Sequence, residues 1–211
     1  MAPARSSRPL IIYIGGPVQQ ELDARGLALR IVVGAEVYIA PDLPARLNDG
    51  RAYSINSSRY ILIELPFTFW PDYVEDALSA LQERGLVPIL AHAERYTTVQ
   101  RDPDRLRPLV ERGILVQLTA GSLLGGFGRE AQRAAQVLLE HNLAHVVASD
   151  GHNTTYRAPV LSAVVPVAGK IVGAEAARAL VESVPAAIVA NEPVTVAPPR
   201  PVLRQRSWLD S

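Results

Sequence analysis

Short apolar runs alternate along this chain with stretches of helical periodicity that end at glycine. Parallel strands need a crossover of about a dozen or more residues, usually a helix. The alternation therefore predicts an α/β fold with a parallel sheet. The predicted strands are Leu29–Ile39, Tyr60–Leu65, Val87–His92, Ile114–Leu118 and Ala144–Ser149. The predicted helices end near Gly26 or span Tyr73–Arg84, Asp104–Arg112, Arg129–His141 and one or two segments around Leu161–Ser183.

Polar residues that seldom belong in a core lie at or near the ends of four predicted strands. Glu64 follows Glu36 by 28 positions and His92 follows Glu64 by the same interval. Asp150 and His152 follow the last strand. A βα unit of roughly 30 residues is typical of (β/α) barrels, in which the carboxyl ends of the strands meet at one rim. The spacing predicts that these five side chains converge there.

The number of predicted strands is too small for a closed barrel. Five strands are recognisable, whereas a barrel of this type needs about seven or eight. The missing units would precede the first strand, where residues 1–16 are too few to hold them. We therefore expect a barrel that is incomplete at its N-terminal side.

The five polar residues form a mixed oxygen and nitrogen ligand set. Such a set suits manganese, iron(II) or zinc rather than calcium or copper(I). Arg95 and Arg157 follow the same strand ends, and a guanidinium group matches phosphate oxygens bidentately. A phosphoester substrate beside a metal is one interpretation of this pattern, and an ion pair between Arg95 and Glu94 is the other.

Composition narrows the chemistry further. The chain has no cysteine, which excludes disulfide scaffolds, thiolate zinc sites and cysteinyl-phosphate phosphatases. Its 21 basic and 21 acidic residues balance, so no chain-wide basic surface for nucleic acid is expected. The apolar run Leu10–Ile14 is far shorter than the ~20 residues of a membrane span. These features predict a cytoplasmic protein with neither nucleic-acid binding nor membrane insertion.

Four segments carry a family resemblance: ILIELPF at 61–67, PILAHAERY at 88–96, QLTAGSLLGGFGR at 117–129 and ASDGHNTTYR at 148–157. They resemble the bacterial PHP-superfamily tyrosine phosphatases of capsule and exopolysaccharide operons, of the CpsB/YwqE type. The resemblance runs from about Val18 to about Asn191. It implies a distorted (β/α)7 PHP-type barrel with a site for several metal ions.

The resemblance also implies roles for individual residues. The residues that match metal ligands of the family are Glu36, Glu64, His92, Asp150 and His152. Arg95 and Arg157 match its phosphate-contacting arginines. The implied metal is manganese, with iron(II), zinc and cobalt(II) as alternatives. The implied partner is the phosphotyrosine tail of a bacterial autokinase that controls polysaccharide export.

The chain departs from the family at its N-terminal side. The family opens with a strand carrying His-x-His and a second strand ending in another metal-binding histidine, whereas all four histidines here lie at or after position 92. Either the chain is a fragment or mis-started product, or it is a degenerate relative. Open sheet edges would favour pairing with a second copy, as a homo-oligomer. The expected domains are an atypical segment at 1–16, the phosphatase domain at 17–192 and a flexible Pro/Arg-rich tail at 193–211.

Three functional hypotheses follow from these features. The first is a metal-dependent protein-tyrosine phosphatase in which an activated hydroxide attacks phosphorus. The second is a PHP phosphoesterase that acts on a small molecule such as histidinol phosphate. The third is a catalytically silent regulator that binds phosphopeptides, which the missing histidines favour.

Overall fold

Residues 15–47 and 53–203 are described by a computed structural model of the protein. They form one parallel sheet of five strands, whose order in space, β1 to β5, is their order along the chain. The strands are β1 Glu36–Tyr38, β2 Tyr60–Glu64, β3 Val87–Leu90, β4 Leu115–Thr119 and β5 Val146–Ala148. The predicted α/β class and parallel sheet are confirmed. Within the described residues β1 and β5 are edge strands, so this part of the sheet is open.

Helices follow or precede each strand. They are α1 Gly15–Ala24, α2 Leu43–Arg46, α3 Val74–Glu83, α4 Thr97–Arg101, α5 Arg107–Glu111, α6 Ala120–Leu123, α7 Arg129–Glu140, α8 Val164–Val172, α9 Ala174–Ala179 and α10 Ser183–Val189. Within residues 15–47 and 53–203, none of them combines the length and the apolar character that a bilayer-spanning segment requires.

The two longest crossover helices show why these segments are helical. In α7 the buried residues are Ala131, Ala134, Ala135, Leu138 and Leu139. They recur at intervals of three and four, which places them on one helix face against the sheet. The buried residues of α3 follow the same rule at Val74, Ala77, Leu78 and Leu81.

The prediction of the first strand is wrong over most of its length. Leu29–Ile39 was expected to be a strand, but β1 is limited to its last third, Glu36–Tyr38. The preceding backbone pairs with other groups, because Ile31 N–H donates to the Gln19 side chain and Val33 O accepts from Asn56 N–H. Leu29 is 58% exposed. Its apolar character therefore reflects neither a strand nor a core position.

The sheet is covered on both faces. Successive strand residues point to opposite sides, so Ile61 and Ile63 enter a large core shared with the crossover helices. The opposite face forms a smaller buried cluster of Tyr60, Ile89, Leu115, Val146 and Ile188. Ile188 belongs to α10, and Val194 and Val196 pack against the same cluster. The C-terminal part of the chain thus covers the second face.

Residues 192–203, after α10, form neither helix nor strand and run along the domain. Arg200 N–H donates to His141 O at 2.8 Å, and Val202 N–H donates to Asp104 Oδ1 at 3.0 Å. These contacts involve the first part of the predicted tail at 193–211. Residues 204–211, and residues 1–14 of the predicted N-terminal segment, lie outside the described residues. The predicted domain boundaries remain predictions.

Candidate active site

Three of the predicted metal ligands form a compact cluster near the carboxyl ends of β2 and β3. Glu36 begins β1, Glu64 ends β2 and His92 follows β3 by two residues. His92 Nε2 lies 2.9 Å from Glu36 Oε1 and 3.5 Å from Glu64 Oε1. One ligand atom from each of the three residues lies within 4.8 Å of the others. We call Glu36, Glu64 and His92 the ligand triad.

Rare backbone conformations occur at two of the predicted ligands. His92 has φ 33° and ψ 47°, and Asp150 has φ 50°. The left-handed region costs residues other than glycine about 1–2 kcal/mol, and such strain concentrates at functional sites. At His92 this conformation ends β3 and starts the 3-10 turn Ala93–Arg95.

The two carboxylates of the triad have opposite pKa shifts. The hydrogen bond with His92 lowers the pKa of Glu36 although burial opposes it, and the nearby Arg95 guanidinium lowers the pKa further. Burial raises the pKa of Glu64, and the neighbouring carboxylate of Glu36 raises it further. Two carboxylates this close repel each other, so a bound cation would relieve their repulsion.

The triad fits a divalent metal ion. Its oxygen and imidazole donors match manganese, iron(II), cobalt(II) or zinc. Two atoms that each lie about 2.1 Å from one ion are at most about 4.2 Å apart. The three ligand atoms, which lie within 4.8 Å of one another, would therefore need to move only slightly closer together to bind one ion. His92 faces both carboxylates through Nε2, which makes this atom its candidate donor.

The remaining predicted site residues form a second cluster beside the triad. Arg157 Nη2 donates to Asp150 Oδ2 at 2.6 Å, and Arg95 Nη1 donates to the same oxygen at 3.4 Å. His152 Nδ1 lies 2.8 Å from the backbone oxygen of Asp150. The predicted set of five ligands is thus divided. Three lie together, whereas Asp150 is paired with the two arginines and His152 stays next to it.

Glu94 has a different partner from the one considered in the sequence. It is fully buried, and its Oε1 accepts from Thr119 N–H at 3.1 Å and from Ser122 Oγ at 2.6 Å. Burial raises its pKa. The ion pair of Arg95 is with Asp150, so an Arg95–Glu94 pair is wrong. Glu94 instead fastens the turn that carries His92 and Arg95 to the end of β4.

Two aromatic side chains in the site were missed by the sequence analysis. The Phe67 ring stacks on His92 with centroids 5.1 Å apart, and Arg95 lies 4.8 Å above the same ring. Phe127 lies under both arginines, 4.5 Å from Arg95 and 5.6 Å from Arg157. A signal was present, since Phe127 stands within the glycine-rich string GSLLGGFG, where a large ring surrounded by glycines is unusual.

The fold and the site define a class of protein. It is an α/β protein in which three possible metal ligands at one end of a parallel sheet lie beside two arginines that share a carboxylate oxygen. The family model described as "Capsular polysaccharide synthesis, CpsB/CapC" matches residues 12–190 of this chain. The chain belongs to this family, and the resemblance found in the sequence is confirmed.

Individual relatives agree with this assignment. The chain is 34% identical over 189 residues to tyrosine-protein phosphatase YwqE of Bacillus subtilis, covering 90% of this chain and 74% of that protein. It is 37% identical over 135 residues to the putative tyrosine-protein phosphatase CapC of Staphylococcus aureus, covering 64% and 53%. With tyrosine-protein phosphatase CpsB of Streptococcus agalactiae the identity is 30% over 169 residues, covering 77% and 69%.

A solved structure matches most of the chain. It comes from work on YwqE from Bacillus subtilis and CpsB from Streptococcus pneumoniae, described as unique metal-dependent tyrosine phosphatases. The match has a TM-score of 0.84 and 34% identity, and it covers 90% of this chain and 76% of the other.

Proposed function

We propose that this protein is a metal-dependent protein-tyrosine phosphatase of capsular or exopolysaccharide synthesis. The observation that carries the proposal is the position of the ligand triad next to Arg95 and Arg157. Phe67 bridges the two groups, because its ring touches both His92 and Arg95. Family membership and the phosphatase relatives support the same conclusion.

The triad would hold the metal, with Asp150 and His152 as further ligands close by. Manganese is the proposed ion, and iron(II), zinc and cobalt(II) are the alternatives, because the donors are hard oxygen and imidazole nitrogen. When bound, such a cation lowers the pKa of water and neutralises charge on phosphoryl oxygens.

The chain's own residues bind and orient the phosphate. The guanidinium groups of Arg95 and Arg157 already share one anionic oxygen, that of Asp150. Two oxygens of a phosphate group would occupy the same forks by charge-assisted hydrogen bonds. These groups stabilise charge that develops on the equatorial oxygens during transfer. Both arginine side chains are 23% exposed, so solvent screening is reduced but substrate can still reach them.

The finer parts of the proposal concern architecture and partner. We propose that the five-stranded sheet is the recognisable part of a distorted (β/α)7 barrel. The proposed substrate is the phosphotyrosine tail of an autokinase of polysaccharide export, with both proteins acting at the cytoplasmic side. The orientation of the sheet supports this architecture, because each new strand pairs in parallel with the previous one.

The test is phosphate release by the full chain from a phosphotyrosine peptide and from an alkyl phosphate. Activity on the peptide should disappear with a chelator and return when manganese is added. Activity that survives chelation overturns the metal assignment. Faster release from alkyl phosphates would indicate a small-molecule phosphoesterase. Tight peptide binding without any release, in the presence of manganese, would indicate a regulatory binding protein.

A further inference from the structure

The glycine-rich turn between β4 and α7 carries a feature that the metal and phosphate chemistry leaves unexplained. It follows the short helix α6, and the glycine-rich string GSLLGGFG at residues 121–128 covers both the end of α6 and this turn. The backbone takes positive φ at Gly125, 86°, and at Gly128, 90°. These two glycines permit a sharp turn that presents the single aromatic residue of the string, Phe127.

Phe127 is shared by two arginines that come from separate loops. Arg95 and Arg157 are 62 positions apart, yet both guanidinium groups lie over its ring, at 4.5 and 5.6 Å from the centroid. Cations are attracted to the face of an aromatic ring within about 6 Å. The two guanidinium groups therefore share one ring as well as one carboxylate oxygen, that of Asp150.

The seat of the ring is built from the same turn. A Cβ atom at Gly121 would lie 2.8 Å from Phe127 Cε2, closer than any van der Waals contact allows. A Cβ at Gly126 would lie 3.3 Å from the backbone oxygen of Gly121. The absence of a side chain at Gly121 therefore leaves room for the ring, and a Cβ at Gly126 would crowd the backbone of Gly121.

The Phe127 ring restrains the two guanidinium groups in a way that the carboxylate of Asp150 alone cannot. Two guanidinium groups with the same charge repel each other, and each side chain has several rotatable bonds that must be ordered. Asp150 holds them only while its own oxygen faces them. Once a phosphate takes that oxygen's place, the aromatic face still restrains both cations without competing for their hydrogen bonds.

We propose that Phe127 is a positioning residue that holds Arg95 and Arg157 together as one phosphate-binding pair, and that Gly121 leaves the room its ring needs. This inference rests on the proposed function, because it takes phosphate as the ligand of the two arginines. The ring itself acts through the arginines and does no chemistry.

The test measures inorganic phosphate affinity of the manganese-loaded full chain by calorimetry, together with KM and kcat for a phosphotyrosine peptide. Phe127→Leu should weaken phosphate binding by about fivefold to tenfold, since two cation–π contacts are lost. KM should rise by a similar factor. Phe127→Tyr keeps an aromatic face and should stay within about twofold of the native protein.

Matched variants separate positioning from general damage. Phe69→Leu makes the same change at a phenylalanine that is 57% exposed, and it should leave phosphate affinity unchanged. Gly121→Ala should displace the ring and weaken phosphate binding as Phe127→Leu does. The double variant Gly121→Ala/Phe127→Leu should bind phosphate no more weakly than Phe127→Leu alone. The methyl group added at position 121 then has no aromatic ring to displace.

The outcomes distinguish this inference from the proposed function. Native phosphate affinity in Phe127→Leu overturns the inference while the phosphatase proposal stands. Equal losses in the Leu and Tyr variants, with less bound manganese and a lower Tm, would indicate a purely structural ring and also overturn it. Aromatic-dependent phosphate binding without turnover supports the inference and overturns the phosphatase proposal. A native protein that binds no phosphate overturns both.

Discussion

His92 Nε2 lies 2.9 Å from Glu36 Oε1, although the two residues are 56 positions apart. Glu36 is on β1 and His92 follows β3, so the contact passes over the end of the intervening strand β2. Glu64, which ends β2, completes the triad, with its Oε1 3.5 Å from the same His92 nitrogen. Three consecutive βα units thus each contribute one donor to a single point.

Glu36→Gln should weaken manganese binding by at least about tenfold, because the amide keeps the size of the side chain but removes a charged ligand. Calorimetric titration with manganese measures the effect. Glu75→Gln is the matched control, since Glu75 is an exposed residue of α3. Equal affinities for the two variants would mean that the ion binds elsewhere.

Ser122→Ala should destabilise the protein by about 1–3 kcal/mol, because a buried carboxylate loses one of its two donors. The hydroxyl lies 2.6 Å from Glu94 Oε1. Urea unfolding measures the change, and Ser79→Ala is the control because the Ser79 hydroxyl bonds Arg112 at the surface. A loss no larger than that of the control would show that Thr119 N–H alone satisfies Glu94.

Tyr60→Phe should test the attachment of the segment after α10 to the sheet. The Tyr60 hydroxyl donates to Glu192 O at 2.6 Å and accepts from Val194 N–H at 3.1 Å. Its removal leaves both backbone groups unpaired and should cost about 1–3 kcal/mol. We expect faster amide exchange around residue 194, measured by mass spectrometry. Tyr38→Phe, at a residue 52% exposed, should change neither quantity.

His145 should make the protein less stable in mild acid. Burial lowers its pKa from 6.5 to about 4, and its Nδ1 accepts from Val116 N–H at 3.0 Å. Between pH 6.5 and about 4, His145 therefore binds a proton in the unfolded chain but not in the folded protein. The contribution of His145 to the free energy of unfolding is therefore fully present above pH 6.5. It is lost as the pH falls toward 4, by about 3 kcal/mol in total.

The measurement is urea unfolding of the native protein and of His145→Asn between pH 4 and 7.5. Asparagine can still accept from Val116 N–H but does not titrate. The advantage of the native protein over this variant should therefore shrink as the pH falls. Parallel pH profiles would show that His145 is not the group responsible.

Much of the fold could be predicted because it is encoded locally. The strands β2 to β5 begin and end within two residues of their predicted bounds, since each is a short apolar run between turn residues. The helices α3 and α7 follow from apolar residues at intervals of three and four. The error at Leu29–Ile39 has a different origin. An apolar run is typical of a strand. Whether it forms one depends on whether an adjacent strand can hydrogen-bond with its backbone.

Local sequence patterns predicted the order of strands and helices along the chain. They also predicted the candidate site residues Glu36, Glu64, His92, Asp150, His152, Arg95 and Arg157. The division of these residues into two clusters depends on the folded chain, which brings Glu36 to His92 across β2 and turns Asp150 toward the arginines. The folded chain also places Phe127 beneath both arginines. Periodicity acts over a few residues, whereas strand register and turn geometry bring together residues far apart in the chain. The contacts of Glu36 with His92, of Arg95 with Asp150 and of Phe127 with both arginines join side chains 30 to 56 positions apart.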